Sequence, residues 1–202
     1  MSKADDNCAR EKEVFKKGLY SSKYKSNLIS ISINFLYMKT LILMRHAKAI
    51  HADVLLSDFE RNLNDRGKED AAHMGKRLLH KKVNPDLIIC SAAKRTAKTA
   101  KIVADQLGYH EYNIIKEFDL YNCTVDEALN IIRHTNDDCK TLVLVGHNPA
   151  ITSLAGYLTN TLIESLPTSG LVSISFKGIS WKQVARNMGE LNWVDLPKLP
   201  LH

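Results

Sequence analysis

Three short apolar runs, each followed at once by a basic or hydrogen-bonding residue, constrain the possible fold of this chain more than any other feature. The runs and the residues that follow them are 41–44 before Arg45 and His46, 86–90 before Ser91, and 141–145 before Gly146 and His147. Such runs are typical of strands buried on both faces of a parallel sheet. The carboxyl ends of these strands lie at one edge, where α/β proteins place their ligand sites. The sequence therefore predicts cationic and polar side chains gathered at one edge of a sheet.

The segments between these runs have the spacing of amphipathic helices. The predicted buried faces are Ala71, Met74, Gly75, Leu78 and Leu79 in the first helix, Ala93, Ala97, Ala100, Ala104 and Leu107 in the second, Ala128, Leu129, Ile131 and Ile132 in the third, and Ile151, Leu154, Ala155 and Leu158 in the fourth. The predicted helix ends are N-caps at Ser91, at Thr124 in a capping box with Glu127, and at Asn148 before Pro149, with Gly108 ending the second helix.

Further along the chain, two apolar runs at 171–176 and 181–184 predict a hairpin at the edge of the sheet. A brief strand is expected at Ile114 and Ile115. Because strands and helices alternate, the predicted class is α/β, with a mostly parallel central sheet covered by helices and an antiparallel edge.

The composition fits one sizeable folded core. The chain has 202 residues, 45% of them hydrophobic, and a formal net charge of +6. Half of that charge lies in residues 1–37, so the remainder is not basic enough to indicate a nucleic-acid partner. No apolar run is long enough for a spanning helix, and the four cysteines lack metal-ligand spacing. We expect reduced thiols, a cytoplasmic location, no metal, no cofactor and no membrane partner.

Residues 1–37 are expected to be either a poorly ordered N-terminal extension or an upstream stretch of the reading frame. Met38 is expected to begin a domain that continues to residue 202. Alternating isoleucines before Met38 favour a strand over the solid apolar block of a signal peptide.

The residues at the strand ends suit a phosphoryl group. Arg45 and Arg95 offer guanidinium donors to phosphoryl oxygens, and the helix N-termini after Ser91 and Asn148 add partial positive charge. A neutral histidine forms an N–P bond readily, so His46 is the expected nucleophile. His147 is expected to donate hydrogen bonds to the oxygens that accumulate charge. Ser91 is either an N-cap or a further phosphate ligand.

In this order, the motifs resemble those of the histidine phosphatase superfamily, relatives of phosphoglycerate mutase. Arg45-His46-Ala47 is similar to its Arg-His-Gly signature, Ser91 to Arg95 to its second motif, and Gly146-His147-Asn148-Pro149 to its last. The segments 57–67 and 120–121 resemble the compact, phosphohistidine phosphatase SixA-like branch. The resemblance covers about residues 38–188. It implies a three-layer α/β/α sandwich, phosphorylation of His46, and a phosphate pocket completed by Arg45, Arg95 and His147.

Two details depart from the family pattern or stay open. Ala47 replaces the usual glycine, which a negative φ would tolerate. Glu117 and Asp119 compete for the role of general acid, and we prefer Asp119 because it lies nearer the exit of the strand. A leaving imidazole, with a reference pKa near 6.5, can carry its own proton, whereas an alkoxide cannot.

The short spacing between Arg95 and His147 leaves little room for a lid over the pocket. An open pocket favours a side chain presented by another protein, so phosphohistidine in a protein is the expected substrate. We expect the phosphatase to be monomeric and metal-independent. The alternatives are a phosphatase of small phosphomonoesters and a non-catalytic phosphoprotein-binding module with the same pocket.

Overall fold

The computed structural model describes residues 38–51 and 57–198, and within them six strands form one mixed sheet. The strands are β1 (Met38–Arg45), β2 (Leu87–Ser91), β3 (Ile115–Glu117), β4 (Thr141–Gly146), β5 (Leu171–Lys177) and β6 (Glu190–Asp195). Their order is β3-β2-β4-β1-β5-β6. The first four strands of this order are parallel, and β5 runs antiparallel to both β1 and β6. The predicted parallel sheet with an antiparallel edge is confirmed.

Helices cover both faces of this sheet. They are α1 (Asp65–His80), α2 (Lys94–Leu107), α3 (Val125–Arg133) and α4 (Ala150–Thr159). Leu41 and Leu43 of β1 pack on the face that α3 and α4 cover, whereas Ile42 and Met44 pack with α1 and α2. Because successive strand residues point to opposite faces, an uninterrupted apolar run is what a strand between two helical layers requires. The three-layer α/β/α prediction is therefore confirmed.

Two of the predicted helix ends are confirmed. Thr124 and Glu127 form the capping box of α3. Gly108 ends α2 with a φ of 68°, in the left-handed region that glycine enters without steric cost.

Two predicted N-caps are wrong. Ser91 is the last residue of β2, and Ala93 occupies the N-cap position of α2. Asn148 precedes a cis peptide bond to Pro149, and Pro149 itself is the N-cap of α4. The side-chain nitrogen of Asn148 instead donates to the carbonyl of Leu166 at 3.0 Å. In both places, the side chain bonds to a residue that is distant in the sequence, Ser91 to His147 and Asn148 to Leu166.

The second half of the predicted hairpin is also wrong. Residues 181–183 form a 3-10 turn, and the strand that pairs with β5 is β6, Glu190–Asp195. Trp181 is fully buried, and its indole N–H donates to the carbonyl of Cys139 at 2.7 Å. The apolar character of this turn therefore reflects anchoring in the core rather than strand pairing.

The expectation for residues 1–37 lies outside the described residues. Among residues 38–51 and 57–198, no helix has the length and apolar character needed to cross a bilayer.

Candidate active site

Strand register places His46 and His147 side by side. β1 and β4 are parallel neighbours in which Arg45 pairs with Gly146, so each histidine is the first residue beyond a paired position. The N–H of His46 donates to the carbonyl of Gly146 at 3.0 Å, which continues the ladder by one bond. The two imidazole rings lie with their centroids 5.0 Å apart. The predicted convergence of the two strand ends is therefore present.

The ring of His46 is held as a neutral base. Its Nδ1 lies 2.8 Å from the carbonyl oxygen of Ala47, which can only accept, so Nδ1 carries the proton. Burial lowers the pKa of His46 to about 4, and the charges of Arg95 and Arg45 act in the same direction, although the bond to Ala47 opposes them. Near neutral pH, the Nε2 lone pair is therefore free, which is the protonation state a nucleophile needs.

His147 is buried among hydrogen-bonding groups. Nη2 of Arg95 lies 3.2 Å from its Nδ1, while Ser91 Oγ and Thr96 Oγ1 lie 2.9 and 3.1 Å from its Nε2. A guanidinium can only donate, so Nδ1 accepts and the proton of the neutral ring lies on Nε2. Burial, followed by the charges of His46 and Arg95, lowers the pKa of His147 to about 3.

Arg45 extends from the end of β1 beside His46. Its Nη1 donates to the carbonyl of Leu166 at 2.8 Å. Among the described residues, its buried Nε has no hydrogen-bond partner, and neither does the buried hydroxyl of Ser169. The N–H of Ser169 lies 3.2 Å from the carbonyl oxygens of both Arg45 and His46. A half-buried guanidinium whose buried Nε keeps an unused donor is what an anion site provides.

Arg95 is held from its outer side by Asp58. The carboxylate of Asp58 lies 2.8 Å from Nη2 of Arg95, 2.7 Å from Nη1 of Arg61 and 2.9 Å from the hydroxyl of Tyr121. Desolvation acts to raise the pKa of Asp58, but hydrogen bonds from Tyr121 and Arg61 and the charge of Arg95 lower it to about 2. Asp58 is thus an anionic anchor for the guanidinium and holds no proton that it could give to a leaving group.

The turn after the nucleophile is packed against the start of α1. Ala47 is fully buried with Leu63 and Ala71, and its N–H donates to the hydroxyl of Thr99 at 3.0 Å. The φ of Ala47 is not positive, so alanine is compatible with this turn. A Cβ on Gly67 would lie 2.0 Å from the carbonyl oxygen of Lys48, which explains the glycine in the first turn of α1.

The structure brings five of the seven predicted site residues into one cluster: Arg45, His46, Arg95, His147 and Ser91. Ser91 contacts the cluster through His147. Glu117 ends β3 and is half-buried, and Asp119 lies exposed in the 3-10 turn Phe118–Leu120. Within the described residues, neither carboxylate forms a hydrogen bond or ion pair with the two histidines, so their assignment as general acid stays a prediction.

Several residues of the site were not predicted from the sequence, or have a larger role than predicted. In the segment 57–67, the sequence was equally consistent with a local ion pair between Asp58 and Arg61 and with a contact to substrate. The two residues do form an ion pair, and Asp58 also reaches Arg95. Thr96 received no role, because the buried face of α2 was assigned to alanines. The face is in fact rotated toward the site and buries Arg95, Thr96 and Thr99. The Ser91-to-Arg95 motif was the available signal, since it already required the start of α2 to face the pocket.

The chain belongs to the histidine phosphatase superfamily. The profile of that superfamily, branch 1, matches residues 41–125, which include the first strand end and Arg95. An uncharacterized chloroplastic protein of Arabidopsis thaliana is 30% identical over 163 residues, covering 77% of this chain and 74% of that protein.

Solved structures agree with the compact, SixA-like branch of the family. A candidate phosphohistidine phosphatase SixA from Nakamurella multipartitia superimposes with a TM-score of 0.69 and 26% identity, over 80% of this chain and 98% of that one. A second candidate SixA, from Agrobacterium tumefaciens, superimposes with a TM-score of 0.69 and 25% identity, over 79% of this chain and 98% of that one. Together with the superfamily match, these likenesses support a phosphatase, the activity the sequence predicted.

Proposed function

We propose that this protein removes phosphoryl groups from phosphohistidine in other proteins through a covalent intermediate on His46. The observation that carries the proposal is the neutral His46 ring, with Nδ1 bonded to Ala47, beside the guanidinium groups of Arg45 and Arg95. This combination supplies both an attacking lone pair and the positive charge that a phosphoryl group requires.

In the first step, the Nε2 lone pair of His46 attacks phosphorus and forms an N–P bond. The N–P bond of the substrate breaks, and its imidazole leaves as a neutral ring if it already carries a proton. Arg45 and Arg95 hold the transferring oxygens. In the second step, water attacks phosphorus, the bond to His46 breaks, and phosphate leaves with the oxygen of that water. The proton that water releases passes to phosphate or solvent.

Two features support phosphohistidine over a phosphomonoester. Asp58 is ionised and cannot serve as an acid, and Glu117 and Asp119 form no bond with either histidine. An imidazole leaving group does not need these carboxylates, whereas an alkoxide does. In addition, between Arg95 and His147 the chain forms the remainder of α2, β3, α3, β4 and short turns. This stretch contains no helical insertion that would act as a lid, which favours a side chain presented by another protein.

The proposal is tested by hydrolysis of phosphohistidine and p-nitrophenyl phosphate without added metal. We expect the wild type to prefer phosphohistidine and His46→Ala to lose at least about a thousandfold in kcat. Rapid quenching in alkali should trap one acid-labile phosphoryl group per chain, absent from His46→Ala and retained in the matched variant of an exposed histidine, His80→Ala. Equal turnover by His46→Ala would exclude the nucleophile. Tight binding of a phosphopeptide without turnover would favour the binding module, and a preference for p-nitrophenyl phosphate would favour small phosphomonoesters.

A further inference from the structure

Three aromatic rings form a continuous surface beside the candidate active site, which we call the aromatic shelf: Phe59, Phe118 and Tyr121. Phe59 and Phe118 are parallel to within 1°, with centroids 6.1 Å apart, and Tyr121 meets Phe59 edge-on at 5.1 Å. The first two rings lie on the 3-10 turns Asp58–Glu60 and Phe118–Leu120. The shelf thus joins two turns that are distant in the sequence.

The inner end of the shelf is part of the pocket wall. The ring of Tyr121 lies edge-on to His147 with centroids 5.5 Å apart, and its hydroxyl donates to Asp58. The guanidinium carbon of Arg95 lies 5.9 Å from the centre of the same ring. A molecule bound at the two histidines would therefore meet Tyr121 first and the two phenylalanines beyond it.

The outer end of the shelf faces solvent. Phe118 is 72% exposed, although Leu120 in the same turn is fully buried. Leu120 anchors the turn to the core, so burial of Phe118 is not needed to hold the turn in place. An exposed aromatic ring held in a fixed orientation next to a catalytic pocket is typical of a contact surface for a ligand.

We propose that the aromatic shelf binds the apolar side chain next to the phosphorylated histidine of a protein substrate. This inference rests on the proposed function. The centroid distances from His147 to Tyr121 and from Tyr121 to Phe59 are 5.5 and 5.1 Å. Adjacent residues in a peptide have Cα atoms about 3.8 Å apart, and Tyr121 lies between His147 and Phe59, so a long side chain next to the phosphorylated histidine would extend over Tyr121 toward the phenylalanines. Phosphoramidate, with no atoms beyond its nitrogen, does not extend that far.

The test compares two nine-residue peptides with a single central histidine, phosphorylated with potassium phosphoramidate. One peptide has leucine on both sides of the histidine and the other has alanine. Covering one leucine by aromatic rings should raise kcat/KM for the leucine peptide about fivefold over the alanine peptide. In Phe118→Ala this preference should fall to below about twofold. The kcat/KM of each variant for phosphoramidate is measured in parallel, so that a change at the phosphate pocket can be separated from a change at the shelf.

Tyr112→Ala is the matched control, because Tyr112 is 91% exposed and does not belong to the shelf. It should keep the wild-type preference. An unchanged preference in Phe118→Ala, or the absence of any preference in the wild type, would overturn the inference. Wild-type turnover of phosphoramidate without turnover of either peptide would overturn it together with the protein substrate. Failure of the wild type to hydrolyse any of the three would instead contradict the proposed function itself.

Discussion

Nη2 of Arg95 donates to Nδ1 of His147, across 3.2 Å, and thereby fixes which nitrogen of that ring lacks a proton. An oxyanion that approaches Arg95 also approaches this bare nitrogen. His147 can then donate to the oxyanion through Nδ1 only if that nitrogen gains a proton, either from solution or from Nε2 by a change of tautomer.

The first prediction is that oxyanion binding takes up a proton. Tungstate, which is a dianion at neutral pH, should raise the pKa of His147 by offsetting the charges of Arg95 and Arg45. Its affinity should therefore increase as the pH falls from about 8 to about 6. Calorimetry in buffers of different ionisation enthalpy should detect the uptake in the wild type, but not in His147→Asn. Equal proton uptake by both proteins would contradict this role of His147.

The second prediction concerns the two depressed histidine pKa values. Burial lowers the pKa of His46 to about 4 and that of His147 to about 3, so both rings should be neutral at pH 5.5 in the folded protein. Histidine NMR titration should show two rings that remain neutral at this pH. His46→Ala and His147→Asn assign their signals. Midpoints near 6.5 for both rings would contradict the burial effect.

The same depressed pKa values predict how stability depends on pH. In the unfolded chain, these histidines bind protons below a pH of about 6.5, whereas the folded protein binds them only near their lowered values. Between those limits the unfolded chain holds more protons, so the free energy of unfolding should decrease as the pH falls from about 6.5 toward 4. Urea unfolding checks this decrease, which should be smaller in His147→Asn.

The third prediction tests Asp58 as the anchor of Arg95. Asp58→Ala removes the carboxylate that bonds to Nη2 of Arg95 but leaves the bond from Nη1 to the main-chain carbonyl of residue 58. We therefore expect kcat/KM to fall about three- to tenfold, a modest loss because the carboxylate is also half-exposed. Asp58→Asn keeps an acceptor oxygen and should lose less. Glu60→Ala, in the same 3-10 turn, is the matched control. Equal values for Asp58→Ala and the wild type would contradict the anchoring role.

The fourth prediction concerns the close approach of α1 to the turn after His46. In Gly67→Ala the new Cβ would lie 2.0 Å from the carbonyl oxygen of Lys48, so either α1 or that turn must move. We expect the free energy of unfolding to fall by about 1–3 kcal/mol and kcat to fall with it. Arg66→Ala, at an exposed position in the same helical turn, should change stability by less than about 0.5 kcal/mol. Unchanged stability in Gly67→Ala would contradict the packing.

The sequence predicted those parts of the fold that depend on local pattern and strand ends. The apolar run before Arg45 and the one before His147 are visible without knowledge of the pairing, and parallel strands place their carboxyl ends together. The capping box at Thr124 was visible for a similar reason, because both of its partners lie within one helical turn.

The parts that were wrong depend on contacts between distant segments. Trp181 is of a residue type that is common in strands, yet it lies in a 3-10 turn. Its indole N–H donates to the carbonyl of Cys139, 42 residues earlier. Ser91 is of a residue type that often caps helices, but its hydroxyl bonds to His147, 56 residues later. Asp58 and Tyr121, 63 residues apart, likewise meet only in the folded chain. Sequence spacing carries no signal for such contacts.

The pairing of Arg45 with Gly146 places the two histidines by contacts in the centre of the sheet, whereas the surface beside the pocket is formed by separate turns. Both histidines follow strands that are paired in the centre of the sheet and buried on both faces, so their spacing is inherited from the core. A slip of one residue would point each side chain to the opposite face, which the core forbids. In the turns at 58–60 and 118–120, the exposed ring of Phe118 carries no such constraint, because Leu120 and Asp58 make the contacts that hold the turns in place. Substrate preference can therefore diverge among relatives by changes in these turns, while the two histidines keep the same geometry.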